Sequence, residues 1–167
     1  MKELLITGAW RCGEQQVQAL EQMGYVVTFW PDERQAVNMD TQRFEAVICG
    51  GLFLTTPIER FPALKCIQVT SAGLDRVPLD YCTAHGITVY NAGGVYSAPM
   101  AEFVLGGILQ LYKESKFFAE NQAAHRWEKH RGLRELSGKT ACIIGTGSVG
   151  SAIACLLYTS PSPRDTR

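Results

Sequence analysis

The pattern that most constrains this chain lies near its end, in Lys139-Thr-Ala-Cys-Ile-Ile-Gly-Thr-Gly-Ser-Val-Gly150. A short apolar run, Thr140 to Ile144, breaks into a full G-x-G-x-x-G and then into Ser151-Ala-Ile-Ala-Cys-Leu-Leu157, which is small and apolar enough to begin a helix. Strand, glycine turn and helix start are the context in which this pattern points to a dinucleotide. Gly145 permits the tight turn, Gly147 lets backbone approach a pyrophosphate, and Gly150 lets helix and strand pack closely. Gly145, Thr146, Gly147, Ser148, Val149 and Gly150 are therefore the candidate cofactor-binding residues. The helix start adds unpaired N–H groups and a positive dipole end.

Seventeen residues follow Gly150, whereas a βαβ unit takes about 30 or more. Pro161 and Pro163 cannot continue a helix, and no second strand is readable after them. The acidic residue that contacts a ribose about 20 positions beyond the glycines has only Asp165 as a counterpart, in a polar tail expected to be solvent-exposed. The expectation is a nucleotide-binding domain that is begun and not completed.

Upstream, short branched or aromatic runs alternate with helix-like segments. Strands are expected at Leu4–Ile6, Tyr25–Trp30, Phe44–Cys49, Cys66–Thr70 and Ile87–Tyr90, and helices at Glu14–Met23 and Pro78–Ala84. A weak helix is expected at Asp32–Asp40 and a helical turn at Pro57–Arg60. Gly24 and Gly86 stand where helices end. Five strands separated by helical segments imply a parallel sheet covered on both faces. From Ser97, a possible cap with Pro99 and Glu102 in or near the first turn, one long helix is expected to run towards Trp127. Gly106 and Gly107 weaken it by about 1 kcal/mol each relative to alanine, which close approach of another backbone would explain. Val104, Leu105, Ile108 and Ile143 are expected to expose apolar surface.

A formal net charge of zero gives no reason to expect a nucleic-acid partner or an anionic membrane. The apolar run near Phe103–Leu111 is far short of the roughly 20 residues that a span needs. Met1-Lys-Glu-Leu-Leu-Ile6 has no signal-peptide pattern. Six cysteines without C-x-x-C spacing suggest reduced thiols, a cytoplasmic setting and no metal. Candidate ligand-facing turns are Gly50-Gly51, after the third strand, and Ser71-Ala72-Gly73, after the fourth. Both also read as ordinary strand–helix turns. His85 suits a helix C-terminus, His125 and His130 read as surface residues, and no residue stands out as a general base, so no catalytic residue is assigned.

Leu64–Asp75, Gly86–Asn91, Pro99–Glu102 and Leu136–Gly150, in that order and spacing, resemble the D-isomer-specific 2-hydroxyacid dehydrogenases, with the phosphoglycerate and hydroxypyruvate dehydrogenase-like members most similar. The likeness runs from residue 1 to about 154. It implies an α/β fold: a flavodoxin-like substrate domain (1–95), a connecting helix and linker (96–135), the start of an NAD(P)-binding Rossmann domain (136–155) and a non-family tail (156–167). It also implies an active site in the cleft between domains, NAD or NADP as cofactor, a 2-hydroxy or 2-oxo acid as substrate, and a homodimer for the complete enzyme. Gly145–Gly150 would hold the pyrophosphate, Ala72 and Gly73 would meet the substrate carboxylate and the nicotinamide, and Gly50 and Gly51 would reach the substrate. Cys49-Gly-Gly-Leu52 lacks the basic residue that a phosphorylated substrate would favour. The family's catalytic Arg, Glu and His lie downstream of the glycine loop and have no counterpart here, so this chain alone is expected to be inactive. The competing readings are a non-catalytic α/β module for a ligand or partner, and a different Rossmann enzyme with the same two-domain plan.

Overall fold

The computed structural model of the protein describes residues 1–158, arranged as two compact units divided at Gly93–Gly94. The first unit contains β1 (Lys2–Thr7), α1 (Glu14–Gln22), β2 (Tyr25–Trp30), β3 (Ala46–Cys49), β4 (Cys66–Val69), α2 (Leu79–Ala84) and β5 (Thr88–Tyr90). All four pairings are parallel, in the order β2-β1-β3-β4-β5. That is the flavodoxin-like order, with its topological switch point between β1 and β3.

Interior strand β1 is buried continuously from Leu4 to Thr7, because both faces of the strand are covered. In β3 and β4 every second residue is buried, Val47 and Cys49 in one and Ile67 and Val69 in the other. Phe44, Leu52, Ile58, Phe61 and Leu64 complete the core from outside the regular elements. Gly24 and Gly86, at φ +88° and +68°, take the left-handed positions that end α1 and α2. Gly8 is fixed by close approach: a Cβ there would lie 1.9 Å from the Pro31 carbonyl oxygen, and the Gly8 amide donates to Trp30 across the ends of β1 and β2.

Asp32–Asp40 is irregular, not helical. Side chains take its backbone groups instead. Asp32 accepts from the Arg34 amide, the Thr56 hydroxyl accepts from the Val37 amide, and Arg60 donates to the Val37 carbonyl at 2.7 Å. Such bonds compete directly with the helix ladder. Pro57 introduces a 3₁₀ turn at Ile58–Arg60.

The second unit contains α3 (Ser97–Tyr112), α4 (Ser115–Ala123) and α5 (Ser148–Tyr158). The expected single long helix is two helices, separated by Glu114 in the left-handed region at φ 49°. The segment after α4 folds back onto the end of α3: Arg134 donates to Tyr112, Lys113 Nζ donates to the Arg134 carbonyl, and the Arg134 guanidinium lies over the Tyr112 ring. Ser97 does not cap α3 with its hydroxyl. Tyr96 precedes the helix, and Ser97 Oγ is buried without a partner among the described residues. Glu102 falls in the second turn. No atom lies within 4 Å of a Cβ built on Gly106 or Gly107, so close backbone packing does not account for them. Val104, Leu105, Ile108 and Ile143 are half-buried, and the exposed apolar surface falls on Phe103, Leu111, Trp127 and Ile144. Thr140–Ile144 forms no strand, since a strand requires a paired neighbour and none lies beside it among the described residues. Asp165, Pro161 and Pro163 lie outside the described residues.

No disulfide joins any of the six cysteines. Burial, and secondarily the Glu33 charge, pushes the Cys49 thiol up to about 12, and burial also raises Cys66 and Cys82. These thiols therefore stay protonated and unreactive at neutral pH. A thiol-reactive disulfide reagent at pH 8 is expected to modify exposed Cys142 and Cys155 first, and Cys49 and Cys82 only on denaturation; peptide mapping after timed quenching checks the order.

Candidate functional site

In a parallel sheet all strands end at one edge, and ligands of open α/β sheets bind beyond it. Thr7, the last residue of β1, and Gly50-Gly51 and Thr70-Ser-Ala-Gly73, after β3 and β4, stand at that edge. The sequence pattern therefore brings Gly50, Gly51, Ala72 and Gly73 to adjacent strand ends, as expected.

What it missed is Glu33. Its Oε1 accepts from the Gly50 amide at 2.7 Å and its Oε2 from the Gly51 amide at 2.5 Å. The Thr7 hydroxyl also lies against Oε1, with the Ile48 carbonyl 3.2 Å away as its alternative acceptor. Thr55 donates to the Glu33 backbone carbonyl and fixes the residue from behind. The two amides expected to reach a substrate are thus already engaged by an internal carboxylate at the β1/β3 switch point. A sequence signal existed: Glu33 follows Pro31, which ends β2 at the same edge of the sheet.

The next turn is free to do what Gly50-Gly51 cannot. Ala72 and Gly73 are exposed. Their carbonyls are taken by Asn91 Nδ2 at 2.7 Å and Ser71 Oγ at 2.9 Å, which fixes the backbone. Their amides make no hydrogen bond among the described residues. Successive N–H groups held this way suit an anion without adding charge. A Cβ on Gly73 would lie 2.7 Å from Oδ1 of the exposed Asp75 side chain, which places a carboxylate beside this turn. Arg76 brings a cation to the same edge, its Cδ 3.7 Å from where a Gly51 Cβ would stand.

In the second unit, the glycine loop shows the geometry that its motif demands. Gly145 has φ +99°, accessible to glycine at no steric cost. A Cβ on Gly150 would lie 2.0 Å from the Gly145 carbonyl oxygen, so the turn closes only with glycine there. Nothing lies within 4 Å of a Cβ on Gly147, leaving its backbone approachable. Helix α5 begins at Ser148, the Ser151 amide donates to the Gly147 carbonyl, and Ser151 Oγ donates to the Thr146 carbonyl at 3.2 Å. The first-turn amides of α5 thus follow directly on the loop, which fits a diphosphate.

The histidines belong to structure. His85 Nδ1 donates to the Tyr81 carbonyl and its ring stacks on Tyr81 at 3.8 Å. His130 is half-buried, not a surface residue: its Nε2 pairs with Glu114 at 2.9 Å and its ring packs on Phe117. His125, exposed, has φ 51°.

Residues 5–159 match the family described as D-isomer specific 2-hydroxyacid dehydrogenase, catalytic domain. The chain belongs to this family. A glyoxylate/hydroxypyruvate reductase of Arabidopsis thaliana is 28% identical over 81% of this chain and 45% of its own length. D-3-phosphoglycerate dehydrogenase 1 of Saccharomyces cerevisiae is also 28% identical, over 81% of this chain and 30% of its own length. Among solved structures, the NADPH-dependent glyoxylate/hydroxypyruvate reductase of Sinorhizobium meliloti, in complex with NADP and malonate, superposes with a TM-score of 0.70. It is 23% identical and covers 93% of this chain and 50% of that one. D-lactate dehydrogenase of Aquifex aeolicus, complexed with NAD and lactic acid, gives 0.72 at 23% identity, over 92% and 47%. Both show a shared fold. The chain spans less than half the length of the curated relatives it matches.

Within the glycine loop the last glycine should respond differently from the middle one. Gly150→Ala is expected to destabilise the second unit by about 1–3 kcal/mol through overpacking against the Gly145 carbonyl. Gly147→Ala is expected to stay within about 0.5 kcal/mol of the parent. Urea midpoints followed by helical circular dichroism check the contrast.

Proposed function

We propose that this chain provides the acid-binding domain and the opening of the nucleotide-binding domain of an NAD(P)-linked dehydrogenase that interconverts a 2-hydroxy acid and a 2-oxo acid. The observation that carries the reading is the glycine loop, closed by Gly150 against Gly145 at the start of α5. Gly145 to Gly150 would hold the cofactor diphosphate through loop and first-turn amides. The nicotinamide, when bound, supplies or accepts the hydride at the 2-carbon.

The chain's own residues bind and orient. The Ala72 and Gly73 amides take the substrate carboxylate, while Arg76, paired with Asp75 at 4.0 Å, stands nearer Gly51. Asn91 and Ser71 hold the carbonyls of that turn, so its N–H groups stay aimed outward. Moving the hydroxyl proton needs a general acid–base group, and the resemblance assigns the family's catalytic Arg, Glu and His to no residue of this sequence. Binding without turnover is therefore the behaviour proposed for the 167 residues alone. Exposed Phe103, Leu111 and Trp127 favour a homodimer in the complete enzyme, since such apolar surface marks an interface.

In the ¹⁵N-labelled chain, NADH or NADPH is expected to shift the Gly147 to Gly150 amides, while NADH absorbance stays constant with glyoxylate or hydroxypyruvate present. Absence of any shift at millimolar dinucleotide would overturn the cofactor assignment, and steady NADH loss would overturn the lack of turnover. Sedimentation at tens of micromolar is expected to show a dimer that Phe103→Glu weakens.

A further inference from the structure

We propose that Glu33 is the residue that sets substrate charge: it restricts this site to small 2-oxo or 2-hydroxy acids whose remainder is neutral, and excludes phosphorylated or dicarboxylic ones. The proposal rests on the dehydrogenase reading and names its substrate class. The relatives leave that class open, because they include both a glyoxylate/hydroxypyruvate reductase and a phosphoglycerate dehydrogenase.

Two features of the sheet edge carry the argument. The first is occupancy. The Gly50 and Gly51 amides and the Thr7 hydroxyl converge on one carboxylate, each Glu33 oxygen receiving its own backbone donor. Donors already given to Glu33 are not available to a second anionic group on a substrate. The second is distance. A Cβ built on Gly50 would lie 3.3 Å from Glu33 Oε2 and 3.2 Å from Thr70 Oγ1. The Glu33 charge is therefore about one side-chain thickness from the turn that leads into Ala72 and Gly73. A substrate held there by its carboxylate, and extended towards β3, would place a second negative charge against Glu33, where like charges disfavour one another; Arg76, the cation at this edge, already faces Asp75 at 4.0 Å. A hydrogen or hydroxymethyl substituent meets no such repulsion.

Glu33→Ala removes both charge and acceptor. Glu33→Gln keeps one acceptor oxygen and removes the charge. The full 167-residue chain and both variants would be titrated with inorganic phosphate and with glyoxylate at matched ionic strength, with backbone amides followed by NMR. In the parent, phosphate is expected to leave the Gly50 and Gly51 amides unmoved. In Glu33→Ala it should move both, with affinity about tenfold or more above the parent, and in Glu33→Gln with a smaller gain of the same sign. If Glu33→Ala fails to fold, Glu33→Gln decides the comparison alone. Phosphate binding in the parent within twofold of the variants, or no gain in a folded variant, overturns the proposal. Glyoxylate should move Ala72 and Gly73 equally in every form. If it moves neither while the phosphate contrast holds, the dehydrogenase reading fails and the charge gate at Glu33 stands.

Discussion

The parallel sheet is the constraint from which the rest of the first unit follows. Parallel strands need long crossovers and cover on both faces, and Leu5 and Ile6 in interior strand β1 have no exposed surface. Strands that run the same way also finish at the same edge. Backbone amides from β3, a hydroxyl from β1 and the turn after β4 are thereby collected without any local sequence feature bringing them together. The edge is consequently polar, crowded and rich in N–H groups, and each of those groups needs a partner or a ligand.

Glu33 and the Ala72-Gly73 turn are two answers to that demand. At the switch point the chain supplies its own carboxylate, so the amides there serve architecture. One strand further along, the carbonyls are engaged and the amides are left outward, so that turn can serve recognition. The same negative charge contributes to holding the Cys49 thiol protonated, which makes this buried cysteine a packing residue and no nucleophile. In the second unit a comparable economy operates at Gly150, where the absence of one methyl group decides whether the loop can close.

Strands and the glycine loop were legible in the sequence because their signals are local: branched runs such as Tyr25-Val-Val-Thr-Phe-Trp30, and glycines at fixed offsets before a helix. The misreadings share a different cause. Asp32–Asp40 has moderate helical composition, but Thr56 and Arg60, about twenty residues away, take its backbone groups. The run at Thr140–Ile144 looks like a strand, yet pairing is a property of two segments and not of one. Ser97 resembles a cap by residue type, while the chain enters α3 one residue earlier. Glu33 was hidden for the same reason as Thr56: its partners at Gly50 and Gly51 are seventeen and eighteen residues away. Fold class and the geometry of the glycine loop were readable, whereas the electrostatics of the strand-end edge depends on contacts that no short window contains.

Gly8 links backbone shape to chemistry in a way that no inspection of ligand-facing side chains would reveal. Its missing methyl group is what allows Pro31 to sit against the end of β1, and Pro31 lies only two positions before the carboxylate at the switch point. Any bulkier residue at position 8 must push that proline outward and drag the acidic group away from its amides. The charge at this sheet edge would then shift, over evolutionary time, through a residue that carries no charge itself.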